Sequence, residues 1–336
     1  RFQNSFIKTI VNLDNKVNVF SFNPYPHWPK GPLYLKSHKK KSKNVSQLNV
    51  NYINLPLIRN VNILIRFLFN KKFINLFNYD LVITYNDSFQ NVFIGLLLKA
   101  FGIKWLSIFA DGTNPNSLSE NILHLSYYSF RKRNINSIKN NILFPLAIYP
   151  RENCKEGYHL YNFLRNTQKP YILYSGAINN GTGILNFIIE FFQSKLSNYY
   201  QLVICGKGTI PSNLDNFMKS KNIQFLGFLK DQELNFLSNH CAAFINPRLT
   251  NNIEWLNNFP SKLLGYLSFD SPTFSTLTKN LMPELKNLVI SYKSTDDILE
   301  KLLNEKYIEK HLDLLNKKRS YFTWDKAVGN VLDKII

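Results

Sequence analysis

Two basic residues near the end of one predicted strand and the start of the following helix form a pattern typical of a phosphate site. Arg248 follows an apolar run, and Lys262 comes two positions after Pro260. Because proline is favoured in the first turn of a helix, the sequence predicts a buried strand, a loop that carries Arg248, and a helix that begins near Pro260. Free N–H groups at such a helix start, of which Ser261 would supply one, attract anions, and the two cations add to this attraction. A diphosphate fits there.

Glycines and one aromatic residue follow other predicted strands and are further candidates for ligand contact. Gly176 and Gly206 would let a ligand approach the backbone closely, although ordinary turn glycines are the competing interpretation. Lys207 follows the last of these glycines directly. Phe228 follows a further strand end, where it would either contact a ligand or pack in the core.

The elements that must position these residues alternate along the whole chain. Short, largely apolar strands between helices predict parallel sheets buried on both faces, and right-handed crossovers give doubly wound sheets. The expected strands are 17–22, 50–55, 81–85, 105–109, 171–174, 201–205, 223–226, 242–245, 272–274 and 288–290. The expected helices are 60–69, 88–101, 116–132, 183–193, 213–221, 231–238 and 261–268. The fold class is therefore α/β.

The alternation falters between Pro145 and Pro170, where prolines and charged residues indicate a linker. We place the domain boundary there, which gives Rossmann-like domains at 1–149 and 150–336. Residues 1–10 read as a helix where such a domain normally begins with a strand, so the first strand of this domain is expected to be missing. Residues 23–43, rich in Pro, Lys and Ser, are expected to form a surface loop.

The formal net charge of +19 points to an anionic partner, which would be a membrane surface, a phosphorylated substrate or nucleic acid. A solvated, Asn- and Lys-rich surface is the alternative. Basic clusters occur at 39–43, 71–72 and 131–133, and the last of them ends an aromatic-rich helix that would suit an anionic bilayer. No signature of an RNA- or DNA-binding module accompanies the charge, so no nucleic-acid partner is expected.

The three cysteines fit no metal-ligand spacing and no disulfide framework, which favours a reduced, cytoplasmic environment and no metal site. No apolar run reaches the length of about 18 residues that a transmembrane helix needs.

The segment around the two cations resembles the retaining glycosyltransferases of family 4, in particular the branch that builds bacterial surface polysaccharides. That branch shows Asn-Pro-Arg after a strand, then Phe-Pro-Ser-Lys-Leu, then a strand with Pro-Val-Xaa-Ser-Thr. This chain has Asn-Pro-Arg at 246–248, Phe-Pro-Ser-Lys-Leu at 259–263 and Pro-Thr-Phe-Ser-Thr at 272–276. The likeness covers 170–336 well. In the first half it is weaker and rests on Tyr85-Asn86 and Ala110-Asp111-Gly112.

The resemblance implies the GT-B fold, in which two Rossmann-like doubly wound domains face each other across a cleft. The C-terminal domain would bind a nucleotide-sugar donor, and the N-terminal domain would lie on the acceptor side. The expected reaction is the metal-independent transfer of a hexosyl group, with retained configuration, to a glycan or lipid-linked glycan. The donor is a substrate, so no cofactor is expected. The protein would act in the cytoplasm, peripherally at the inner face of the plasma membrane.

The resemblance also implies roles for individual residues. Arg248 and Lys262 would stabilise the departing diphosphate, and Asp111 would orient the acceptor hydroxyl, although ordinary surface charges and a helix cap are the competing interpretations. The expected donor contacts are Gly176, Gly181, Gly206, Lys207, Phe228, Asn257, Phe259, Pro260, Ser261 and Leu263.

Several positions depart from the family pattern. The two glutamates that the family usually places eight positions apart are Asn257 and Gly265 here, and the usual Arg and Lys of the donor turn are Ala177 and Thr182. A carboxylate that would accept hydrogen bonds from the nucleotide ribose is therefore absent at 265. These departures motivate a second hypothesis, a catalytically degenerate relative that acts as a binding or chaperone subunit.

Overall fold

The computed structural model describes residues 2–22, 25–56, 58–70, 79–86, 88–110, 118–134, 140–149, 169–250 and 261–336. The chain forms two compact units. Unit 1 comprises Arg1–Leu125, Ser129–Pro145 and Trp324–Ile336, and unit 2 comprises Ser126–Tyr128 and Leu146–Thr323. The main crossing into unit 2 therefore falls near residue 146, and residues 324–336 return to unit 1.

Unit 1 is built around a parallel sheet. Its strands are β1 (Val17–Ser21), β2 (Tyr34–Leu35), β3 (His38–Lys41), β4 (Val45–Asn49), β5 (Tyr52–Ile53), β6 (Leu81–Tyr85), β7 (Lys104–Phe109), β8 (Asn121–His124) and β9 (Asn140–Leu143). Strands β6, β7, β8 and β9 pair in this order, all parallel. A second sheet has the order β1-β4-β3, and β2 pairs with β5.

The helices of unit 1 pack through aromatic and aliphatic side chains. They are α1 (Phe2–Asn12), α2 (Ile58–Leu68), α3 (Phe89–Ala100), α13 (Trp324–Leu332) and most of α4 (Tyr127–Asn134). The helix expected at 1–10 is confirmed. The ring of Phe2 lies 5.0 Å from that of Phe144 and 5.4 Å from that of Trp324, so α1 and α13 share one aromatic cluster.

Three predictions for unit 1 are wrong in detail. The helix expected over 116–132 is instead strand β8 followed by α4, because a short buried apolar run fits a strand and a helix equally well. The strand expected at 50–55 is only β5 (Tyr52–Ile53), and the preceding strand β4 (Val45–Asn49) was not predicted. The expected loop at 23–43 contains β2 and β3, and the latter is an edge strand whose residues His38–Lys41 are all exposed. Charged residues on an edge strand block pairing with another chain.

Unit 2 contains a six-stranded sheet. Its strands are β10 (Tyr171–Ser175), β11 (Gln201–Cys205), β12 (Ile223–Phe225), β13 (Ala243–Asn246), β14 (Thr273–Ser275) and β15 (Ile290–Ser291). Its helices are α5 (Ile184–Gln193), α6 (Leu196–Tyr199), α7 (Asp215–Met218), α8 (Asp231–His240), α9 (Ser261–Tyr266), α10 (Pro283–Lys286), α11 (Thr295–Leu303) and α12 (Glu305–Arg319). All strand pairs are parallel, as expected, in the order β12-β11-β10-β13-β14-β15.

This strand order is doubly wound. The chain extends the sheet from β10 to β12 and then returns to the other side of β10 with β13. In open α/β sheets, ligands bind outside the carboxyl ends of the strands at the point where the direction reverses. Gly176 follows β10 and Arg248 lies just beyond β13, so the topology brings two predicted site residues to this point.

Within the described ranges, every helix is too short or too polar to span a bilayer.

Candidate functional site

A small pocket, open to solvent, lies beyond the carboxyl ends of β13 and β14 in unit 2. Its walls come from the end of β13, the start of α9 and the loop after β14. The residues that line it are Asn246, Arg248, Lys262, Leu263, Thr278, Asn280 and Leu281. The structure thus brings together three of the residues singled out in the sequence, namely Arg248, Lys262 and Leu263. Leu263 is buried and forms part of the floor.

Lys262 lines this pocket, and its buried ammonium group has lost water but gains a cation–π contact in return. Its Nζ atom is 3.9 Å from the centroid of the Tyr174 ring. Burial lowers the pKa of Lys262 well below its ordinary value, and repulsion from Arg248 lowers it further. Burial also lowers the pKa of Arg248. No carboxylate among the described residues offsets the cost of the Lys262 charge, and an anionic ligand would do so.

The turn after β10 makes room for this lysine because residue 176 is a glycine. Gly176 has a φ of 152°, and a Cβ atom placed on it would lie 2.5 Å from Cε and 2.6 Å from Nζ of Lys262. Its N–H donates to the carbonyl of Cys205 at 2.9 Å. The N–H of Gly206 donates in turn to the carbonyl of Gly227 at 2.8 Å, so hydrogen bonds link three neighbouring strand ends.

Tyr266 holds α9 against the end of β10, a role that the sequence did not reveal. Its hydroxyl accepts from the N–H of Ser175 at 2.8 Å and donates to the carbonyl of the same residue at 3.0 Å. Its ring stacks on Phe244 at 4.5 Å. Buried tyrosines need a partner for the hydroxyl, so a tyrosine inside an apolar helix segment was the available signal. The contact fixes where α9 presents Lys262.

Polar side chains on the neighbouring strand ends fix the backbone that carries Arg248. The hydroxyl of Thr276 donates to the carbonyl of Arg248 at 2.6 Å. The amide of Asn246 donates to the hydroxyl of Ser275 at 2.9 Å. These bonds hold the segment after β13 beside β14.

Lys207 and Phe228 form a second feature at the carboxyl ends of β11 and β12. Phe228 is 66% exposed, which excludes the interpretation that it packs in the core. The Nζ atom of Lys207 lies 4.6 Å from the centroid of its ring. An exposed aromatic face beside a cation is a surface on which a planar, anionic ligand could stack.

The remaining predicted residues do not line this pocket or lie outside the described residues. Gly181 lies in a 3₁₀ turn, where its N–H donates to the Asn179 side chain at 3.0 Å. Ser261 is exposed at the first residue of α9. Asp111, Asn257, Phe259 and Pro260 lie outside the described residues.

Arg319 of α12 holds the segment that follows α9, the helix that carries Lys262. Its side chain donates to the Leu267 carbonyl at 2.8 Å, to the Phe269 carbonyl, and to the Asp270 carboxylate at 2.5 Å. We expect Arg319→Ala to lower the free energy of unfolding by about 2 kcal/mol, because two carbonyls lose a charged donor. Urea unfolding of the full chain measures this, with exposed Lys317→Ala as the control. Equal effects of both substitutions would contradict the anchoring role.

The sequence matches no protein-family model and no curated protein. Solved structures share its fold. Sucrose-phosphate synthase from Thermosynechococcus elongatus has a TM-score of 0.65 at 12% identity, over 99% of this chain and 91% of the synthase. HepE of Anabaena, solved with UDP-glucose, has a TM-score of 0.57 at 10% identity over 82% of each chain. The lipopolysaccharide outer core galactosyltransferase WaaB has a TM-score of 0.55 at 12% identity, over 86% of this chain and 83% of WaaB.

Structural neighbours of this kind are GT-B glycosyltransferases. The likeness confirms the expected fold, the GT-B form of the α/β class.

Proposed function

We propose that this chain is a retaining glycosyltransferase that moves a hexosyl group from a nucleotide sugar to a glycan or lipid-linked glycan of a surface polysaccharide. The observation that carries the proposal is the pair of cations, Arg248 and Lys262, at the reversal point of the doubly wound sheet. Burial lowers the pKa of both side chains. An anion with more than one negative charge would stabilise the two cations together. A diphosphate meets that requirement.

The two cations suit different parts of a diphosphate leaving group. The planar guanidinium of Arg248 can donate two parallel hydrogen bonds to phosphate oxygens, and the ammonium of Lys262 acts as a point charge. Negative charge grows on the diphosphate as the sugar departs, so fixed cations stabilise the transition state more than the ground state. The departing phosphate oxygen would take the proton of the acceptor hydroxyl, which Asp111 would orient. This reaction needs no metal and no carboxylate pair.

The rest of the donor would extend along the same edge of the sheet. Phe228 and Lys207 would receive the nucleobase, and the glycine turns at 176 and 206 would lie along the donor between base and sugar. HepE, which has the same fold, was solved with UDP-glucose, and this supports a uridine nucleotide as the first donor to test. The likeness to a lipopolysaccharide galactosyltransferase supports a surface glycan as the product.

Calorimetric titration of the full chain with UDP and with UDP-glucose tests the donor site. We expect Arg248→Ala to weaken binding about tenfold to a hundredfold, because a charged hydrogen bond contributes about 1.5–3 kcal/mol. Lys221→Ala is the matched control, since this exposed lysine precedes β12 and so lies at the opposite end of the sheet. Absence of binding to any uridine-, guanosine- or other nucleotide-linked sugar would refute the proposal.

Gly265 favours the second candidate, a binding subunit without catalytic activity. This residue is buried in α9, where it offers no carboxylate to a ribose. The two candidates differ in turnover. A transferase slowly hydrolyses its bound nucleotide sugar when the acceptor is absent, and Arg248→Ala removes that activity. Donor binding without any release of sugar, in the presence or absence of acceptor, would favour the binding subunit.

A further inference from the structure

Two adjacent helices of unit 1 carry large apolar side chains that point into solvent. On α2 and just beyond its end these are Ile58, Val61, Ile65 and Phe69, and on α3 they are Phe89, Phe93 and Leu96. We call this set the α2–α3 face. Phe69 is 81% exposed and Phe89 is 60% exposed, which is unusual for a protein that has enough core to bury them.

The exposed residues form one continuous surface. On each helix they recur every three or four positions, which places them along a single stripe. The opposite stripes are buried together: Phe67 of α2 packs in one cluster with Ile94 and Leu98 of α3. The Gln90 side chain also donates to the Asn60 side chain at 2.6 Å, which ties the two helices side by side. Since the buried stripes face the same core, the exposed stripes face the same solvent.

The charged residues of the two helices are all basic. Neither helix contains an Asp or Glu. Arg66 is exposed beside the stripe of α2. Lys99 of α3 is paired with Glu120 at 3.0 Å, so it is partly neutralised. An apolar stripe flanked by basic residues is typical of a helix that lies in the interface of an anionic bilayer.

We propose that the α2–α3 face docks on an anionic lipid surface, with the three exposed phenylalanines among the headgroups and Arg66 on the lipid phosphates. A second copy of the chain is a poorer occupant, because two faces without acidic residues would repel each other. The aromatic-rich helix α4, which the sequence suggested for this role, has half-buried tyrosines at 127 and 128. The surface belongs to unit 1, whereas the residues of the proposed donor pocket belong to unit 2. Docking would bring the chain to a lipid-linked acceptor.

Vesicle sedimentation of the full chain tests the docking surface. We expect binding to vesicles of phosphatidylcholine mixed with phosphatidylglycerol and much weaker binding to phosphatidylcholine alone. The double substitution Phe89→Ser with Phe93→Ser is expected to weaken binding about tenfold or more, because apolar area no longer enters the interface. The charge reversal Arg66→Glu is expected to weaken it at least about fivefold, and only for the anionic vesicles.

Leu303→Ser is the matched control, because this leucine is 58% exposed on α11 of unit 2. It should leave vesicle binding unchanged. Thermal unfolding and UDP titration of each variant show that the fold and the donor site are intact, so the docking surface can fail without the proposed function failing. Equal vesicle binding by the wild type and the Phe89 and Phe93 variant would overturn the inference. So would a dimer in light scattering that those substitutions dissociate while the wild type ignores vesicles.

Discussion

Gly183→Ala is expected to abolish donor binding and to lower the free energy of unfolding by about 3 kcal/mol or more. Gly183 has a φ of 74°, and a Cβ atom on it would overlap the carbonyl oxygen of Pro247. Both groups are backbone, so neither can rotate away. The turn at 180–183, just before α5, would have to move away from the segment that carries Arg248. Urea unfolding and UDP titration of the full chain measure the two effects.

Gly227→Ala is the control for the backbone conformation alone. Gly227 has a φ of 67°, but no atom lies within 4 Å of a Cβ placed on it. This substitution should cost about 1–2 kcal/mol, the ordinary price of a left-handed conformation for alanine. If both variants lost the same stability, the contact between Gly183 and Pro247 would have no measurable role in holding the site together.

Lys262→Met is expected to change binding and stability in opposite directions. It should weaken UDP binding about tenfold to a hundredfold, because a charged donor to the diphosphate is lost. It should raise the unfolding midpoint of the ligand-free protein at neutral pH. A lysine whose pKa is lower in the folded state than in the unfolded chain destabilises the fold while it is protonated, and methionine removes this cost. A misfolded variant would lose both properties together.

The same lowered pKa predicts how UDP binding depends on pH. As pH rises through the pKa of Lys262 in the free protein, the ammonium loses its proton and the affinity for the diphosphate falls. In the ligand-free protein the cost of the lysine decreases over the same range, up to the ordinary lysine pKa of 10.5. Calorimetry at a series of pH values up to 10.5 measures the affinity. Lys262→Arg, which stays protonated, should bind UDP without this decline. An identical decline in that variant would assign the titration to another group.

The sheet of unit 2 was predictable from the sequence because its strands are short apolar runs separated by clear helices. The strand expected at 201–205 coincides with β11, and the other five overlap observed strands. In unit 1 the pattern failed at strands of four or five residues, most of them only partly buried. Strand β8 was predicted as part of a helix and β9 was not predicted, since periodicity does not distinguish such runs.

The meeting of Arg248 and Lys262 also followed from the sequence, because the carboxyl ends of parallel strands lie at one edge of a sheet. The residues that hold them there did not. Tyr266 and Ser175 are 91 positions apart, and their hydrogen bonds exist only after β10 and α9 have packed. The contact of Lys262 with the Tyr174 ring is likewise a product of tertiary structure. Residue type and spacing therefore predict the two cations, whereas the tyrosine contacts that position Lys262 depend on tertiary packing.

The return of residues 324–336 to unit 1 has a consequence for how the protein is made. Trp324 belongs to the aromatic cluster of Phe2 and Phe144, and the α1 helix packs on α13. During translation this aromatic cluster can be completed only after Trp324 has left the ribosome, although Phe2 and Phe144 leave it much earlier. Unit 2, which is complete at Thr323, can mature first. A fragment that ends near residue 149 would lack Trp324 and should aggregate rather than fold.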